Sequence, residues 1–269
     1  MIRFLCLILV GFASQCGALA QDKSELPTLV SLDYCADQYL LGLADPSQIL
    51  ALSPDADKPF SHYRDRAKEL PQSRLSAEEI LILKPDIILR SYGGTPRDLE
   101  FYQRFGLQVV NIGFANDFAG VADVVESIAL KLGRSTEAQE HISRLRQAAP
   151  ESRGSALYIT PGGVTAGDET LVADLLRQSG LGNLGGPGYW PAMSLETLIL
   201  SPPDLAISAF FNFGAEATSH WGLGRHAAMR RLLNQIDVVP IREDRISCTS
   251  WLVADEAADL QSVISGLVP

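Results

Sequence analysis

Residues 76–89 read SAEEILILKPDIIL, and residues 194–207 read SLETLILSPPDLAI, the same kind of phrase 118 positions later. Ser76 aligns with Ser194, Glu78 with Glu196, Ile80 with Leu198, Pro85 with Pro203 and Asp86 with Asp204. Each copy offers a serine N-cap, a short apolar helix, a proline stop and an apolar strand. In the first copy Glu79 follows Ser76 by three positions and completes a capping box. Two copies are too few for a stacked solenoid, which needs at least three units. They predict a chain of two similar halves.

The flanking segments alternate in the same way. Strands are predicted at Thr28–Leu32, Ile49–Leu52, Ile87–Leu89 and 107–113, with helices at 34–43, 77–83, 96–106 and 117–132. The polar segment STEAQEHISRLRQAA then forms a helix with Ile142 and Leu145 as its main large apolar residues, fit to bridge two domains, with His141 solvated on it. After Pro150 the alternation restarts: strands at Ser155–Ile159, 204–208 and Asp237–Pro240, helices at 171–180, 195–200, 226–234 and 253–267. Strands separated by helices give a parallel sheet covered on both faces, so the fold class is α/β. The divisions are 1–20, 21–133 for a first lobe, 134–150 for the bridging helix and 151–269 for a second lobe. Each lobe has an ordinary domain size.

Residues 1–20 have the pattern of a secretory signal peptide: Arg3, the apolar run FLCLILVGFA, and Ala18-Leu19-Ala20 before Gln21. The run is shorter than the roughly 20 residues of a spanning helix. Gln15 before Cys16 does not suit a lipidation site. Removal of the leader leaves 21 of the 22 basic residues against 32 acidic ones, net −11, which argues against a nucleic-acid partner. The expected location is the periplasm. Cys35 and Cys248 remain, and in an oxidising compartment they form either a disulfide or a pair of buried thiols.

Ligands of open parallel sheets bind outside the carboxyl ends of the strands. That rule selects 33–34, 53–63 and 91–95 in the first lobe, and 160–170, 210–225 and 248–251 in the second. The ligand-binding candidates are Tyr34, Ser53, Tyr63, Tyr92, Thr165, Phe211, Trp221, Arg225 and Trp251. So many aromatics in these loops, with Phe60 and Phe213 beside them, suit a large, flat or partly apolar ligand. No nucleophile elbow, P-loop or dinucleotide fingerprint is present. His62, His141, His220 and His226 lack metal-site spacing, so neither catalytic residues nor a resident metal or cofactor are expected. A tyrosine or Cys35 remains chemically able to ligate a haem iron carried by a ligand.

TLVSLDYCADQYLLGLADPSQILALS, LSAEEILILKPDIIL, VTAGDETLVADLLRQSGLGNL and MSLETLILSPPDLAIS together resemble the class III periplasmic substrate-binding proteins of ABC importers for iron-siderophore complexes, haem and cobalamin, with the cobalamin branch most similar. The resemblance spans nearly all of the mature chain. It implies two Rossmann-like α/β lobes joined by a single long helix, a ligand cleft between them, and a monomer that hands a metal chelate to an ABC permease dimer. It also implies that Glu78 and Glu196, one acid per lobe, dock into basic pockets of the permease. A corrinoid is slightly favoured over a ferric siderophore or haem. The competing reading is an exported two-domain α/β enzyme acting in the same cleft.

Overall fold

The computed structural model describes residues 26–160, 162–209 and 227–267. The first lobe contains β1 (Leu29–Ser31), α1 (Tyr34–Leu43), β2 (Ile49–Ala51), α2 (Arg64–Ala67), α3 (Ala77–Leu83), β3 (Ile87–Arg90), α4 (Pro96–Arg104) and β4 (Gln108–Asn111). A pair of helices, α5 (Phe118–Leu132) and α6 (Ser135–Leu145), follows. The second lobe contains β5 (Gly154–Ile159), α7 (Leu171–Gln178), β6 (Leu181–Asn183), α8 (Leu195–Leu200), β7 (Leu205–Ser208), α9 (Ala227–Leu233), β8 (Asp237–Pro240), α10 (Glu243–Ile246) and α11 (Leu252–Ile264).

Among the described residues each lobe holds one parallel four-stranded sheet, ordered β2-β1-β3-β4 in the first and β6-β5-β7-β8 in the second. β1 and β7 are buried along their whole length, as strands covered on both faces must be. The chain winds from β1 to one side and then returns to the other, which opens a crevice at the carboxyl ends of β1 and β3, and likewise of β5 and β7.

The doubled phrase builds the same joint in both lobes. Ser76 and Ser194 cap α3 and α8, accepting from the N–H groups of Glu79 and Thr197. Asp86 Oδ2 accepts from the Thr28 N–H and hydroxyl at 2.8 and 2.7 Å, while the Thr28 hydroxyl oxygen accepts from the Asp86 N–H. Asp204 and Ser155 repeat the reciprocal clamp at 2.7 and 2.8 Å. These hydrogen bonds hold both carboxyls below the usual carboxylate range. One detail differs from the sequence expectation: Glu79 does not reach back to Ser76 but accepts from the Arg74 N–H at 3.1 Å.

The bridge is a pair of helices. At its start the Phe118 N–H donates to Asp174 of α7 in the second lobe, and at its end the Leu132 carbonyl accepts from Gln48 of the first. Next, Arg134 donates to the Leu43 carbonyl in the first lobe, and Arg144 pairs with Asp255 of α11 in the second. α5 and α6 thus run in opposite directions between the lobes, turned by Gly133 in the left-handed region at φ 70°. The helix read over 134–150 is shorter, ending at Leu145, and buries Ala138, Ile142 and Leu145 against its neighbours. His141 is not solvated: its ring stacks on Trp251 at 4.8 Å, and burial lowers its pKa.

Candidate functional site

Asp33, immediately after β1, organises the first lobe's crevice. It caps α1 through the Ala36 N–H, and its other oxygen accepts from the N–H groups of Ser91, Tyr92 and Gly93 at 2.7, 3.0 and 2.8 Å. The loop after β3 is therefore tied to the turn after β1. Its converging amides, a natural anion site, are filled by the protein's own carboxylate. Above this knot Tyr34 meets Phe60 edge-on at 5.2 Å and Tyr92 at 5.8 Å. Burial raises the Tyr34 and Tyr92 phenols above their usual value, and the charges of Asp33 and Asp55 push the same way.

The second lobe presents a matching aromatic group from the loop after β6. Trp190 lies 6.1 Å from Tyr158 at the end of β5, and the Tyr189 hydroxyl donates to Asn116 Oδ1 at 2.5 Å in the segment leading into α5. Phe114 of that segment stands 6.4 Å from Tyr189. Two concavities lie between the halves. One, of about 330 Å³, is lined by Phe60 and Arg64 on one side and Ile241 to Asp244 on the other. The second, of about 190 Å³, is lined by Phe114, Tyr189, Trp190 and Ser247 to Thr249.

Beneath them the lobes are fastened together. Cys35 in the first turn of α1 forms a disulfide with Cys248, with Cα atoms 5.5 Å apart. On the same helix, the Gln38 side-chain amide donates to the Asp244 carbonyl at 3.1 Å, and the Tyr39 hydroxyl donates to the Thr249 carbonyl at 2.6 Å. His62 and Asp244 meet at 3.1 Å. Burial works against ionising Asp244, yet hydrogen bonds from His62 and Arg242 hold its carboxyl far below the usual range. Trp251, only 1% exposed, fills the space between His141 and Tyr39. Gly42 leaves room for it, since a Cβ there would lie 2.3 Å from the Trp251 ring.

No protein-family model matches the chain. It is 26% identical over 193 residues to the vitamin B12-binding protein of Photorhabdus laumondii, covering 63% of this chain and 65% of that protein, just under two thirds. With the vitamin B12-binding protein of Pectobacterium carotovorum the identity is 26% over 228 residues, 77% of this chain and 78% of that one. Among solved structures, the periplasmic heme-binding protein HutB of Vibrio cholerae superposes with a TM-score of 0.68 at 20% identity, covering 88% of this chain and 98% of that one. A possible iron-binding periplasmic solute-binding protein of Staphylococcus epidermidis gives 0.65 at 21%, covering 89% and 98%. The chain thus shares the two-lobed α/β fold of these periplasmic binding proteins.

In a fold of two parallel sheets the cleft at the strand ends between the lobes is the candidate site, and the sequence-derived residues divide there. Tyr34 and Tyr92 stand at the ends of β1 and β3, with Tyr34 against Phe60, which lines the larger concavity. Ser53 does not line the cleft: it is fully buried, donating to Asp37 Oδ2 at 2.5 Å. Thr165 is likewise turned inward, its hydroxyl donating to the Tyr158 carbonyl at 2.6 Å. Trp251 belongs to the core between the lobes, and its indole N–H donates to the Tyr63 hydroxyl at 3.3 Å, which draws half-buried Tyr63 beneath its own loop. Phe211, Trp221 and Arg225 lie outside the described residues, as do 1–20. Phe114, Tyr189 and Trp190 are cleft residues that the sequence reading did not select. Recognising the strand LGN ahead of GGPGYW is the signal that would have found Tyr189 and Trp190, and Phe114 directly follows the strand predicted at 107–113, whose end was not among the selected loops.

Among the described residues, no group of three or more His, Cys, Asp or Glu side chains is placed to hold a metal ion, and no helix is long and apolar enough to cross a membrane.

Proposed function

We propose that the protein is the periplasmic substrate-binding component of an ABC importer, capturing a metal chelate between its lobes and delivering it to a permease. The observation that carries this reading is the aromatic-walled cleft between two strand-end crevices whose lobes are fastened beneath it by a disulfide. A cleft held in shape before the ligand arrives loses little conformational entropy on binding, so affinity comes from contact with preset walls.

A corrinoid is the favoured cargo over haem or a ferric siderophore. Two relatives named as vitamin B12-binding proteins support it. So does the chemistry of the walls. Burial first, and the charges of Asp33 and Asp55 after it, work against forming a tyrosinate ligand to ferric iron at Tyr34 or Tyr92. The amides that would greet a siderophore carboxylate are already filled by Asp33. A corrinoid asks neither of these groups for help. Glu78 and Glu196, both exposed at the second position of α3 and α8, are the permease-docking acids in this reading.

Native mass spectrometry and visible absorption of the protein purified from periplasm test the proposal. A bound corrinoid is expected, with added cobalamin quenching tryptophan fluorescence in wild type but much less in Trp190→Phe. A haem or ferric-chelate spectrum would replace the corrinoid while leaving the transport role. Failure to bind any of the three chelates would overturn the reading.

A further inference from the structure

The doubled phrase repeats one feature that folding does not use. Ile82 on α3 and Leu200 on α8 occupy equivalent places, each one helical turn beyond the repeated acid, Glu78 or Glu196. They are 79% and 75% exposed. Ile80 and Leu198, the apolar partners two positions earlier, are buried and supply the contact each helix makes with its lobe. A helix places residues two apart on different sides and residues four apart on one side. Each lobe therefore shows solvent the same pair on the same helix face: a carboxylate, then a bare aliphatic side chain. One exposed aliphatic residue is ordinary. An exposed aliphatic residue one turn beyond the same acid in both lobes, with Ile199 exposed beside Leu200 on α8, is a shared surface.

We infer that each lobe docks through a two-part contact, Glu78 with Ile82 and Glu196 with Leu200, onto a permease dimer that offers one pocket twice: an arginine or lysine bordered by an apolar depression. This rests on the docking reading above and names a second half of that contact. Charge complementarity places a cation opposite each acid in the docked state. The duplication requires a partner whose own two-fold symmetry presents that cation twice. The division of labour follows from the physics. Exposed charge pairs steer encounter and are screened by salt, whereas burial of Ile82 and Leu200 is not.

The test uses the full-length mature protein and the importer complex of the same organism reconstituted in nanodiscs, with binding measured at low and high salt for wild type, Ile82→Ser/Leu200→Ser and Glu78→Ala/Glu196→Ala. Chelate affinity and thermal unfolding serve as folding controls. The serine pair is expected to weaken docking about tenfold per site at both salt concentrations, with chelate affinity unchanged. The alanine pair should weaken docking at low salt, with a difference from wild type that shrinks as salt rises. If the serine pair docks like wild type while the alanine pair is impaired, the apolar half is overturned and the acidic docking reading stands. If both pairs dock like wild type, or wild type does not dock, both fail. A wild-type self-association that the serine pair abolishes without changing docking would assign the face to a second copy and overturn the inference.

Discussion

Asp37 shows how a residue can sit beside a ligand cleft and serve only its wall. It is fully buried and accepts from Ser31, from the Ser53 N–H at 2.9 Å and from the Ser53 hydroxyl. Burial pushes its pKa up to about 6, with those hydrogen bonds opposing. The folded value is above the unfolded one, near 3.9, so the folded state holds the proton more tightly. Its favourable contribution is complete below about pH 4 and is lost as pH rises through about 6. Asp37→Asn should remove this dependence, so the variant's stability relative to wild type improves between pH 4 and pH 7 in denaturant titrations. A constant difference across that range would contradict the assignment. Tyr34 and Tyr92 were legible in the sequence because the strand-end rule locates the loop and an aromatic there has a large face to present. The same rule cannot say which way a side chain turns. Ser53 and Thr165 face inward because buried hydrogen-bonding groups beside them needed partners, and Trp251 does so because Gly42 opens a space for it.

At the scale of elements, the repeat is a joint. The helix stops, Pro85 or Pro203 is buried, and an aspartate stitches the start of β3 or β7 to the start of β1 or β5. The clamp explains why the aspartates recur although both are exposed. Asp86→Ala and Asp204→Ala should each cost about 0.5–1.5 kcal/mol, the net worth of exposed hydrogen bonds whose partners water can take over. Urea unfolding reads this directly, and values near zero for both would reduce the clamp to decoration. Elements with a clear apolar pattern and a cap were readable in advance, among them α1, α3, β3, α5 and β5. β6 was not, since three residues with Gly182 at their centre carry no period. α2 and α10, four residues each, are set by the loops around them. The loss of β6 had the larger consequence, because the loop it launches carries Tyr189 and Trp190.

The whole molecule joins two independent sheets by more than its connecting chain. The α5–α6 pair runs between the lobes twice, and the stretch from Asp244 to Trp251 is bound to α1 by one disulfide and several hydrogen bonds beneath the cleft. Sequence separation, 213 residues between Cys35 and Cys248, gave no means of choosing between a bond and two thiols; the fold brings the pair together. A cross-link over so long a loop restricts the unfolded chain strongly, so Cys35→Ser/Cys248→Ser should lose about 2–5 kcal/mol of stability. The functional consequence differs from the thermodynamic one. With the fastening removed, the helical pair alone sets the spacing of the cleft walls, and more arrangements of the lobes share the free state. Only some can close on a ligand, so apparent affinity falls by the fraction that cannot. Equilibrium binding of the proposed chelate to the double-serine protein, at a temperature where it remains folded, should therefore be weaker than wild type, and reduction of wild type by dithiothreitol should reproduce the loss. Unchanged affinity with lowered stability would mean that α5, α6 and the hydrogen bonds of Gln38 and Tyr39 already hold the cleft, leaving the disulfide to protect the fold alone.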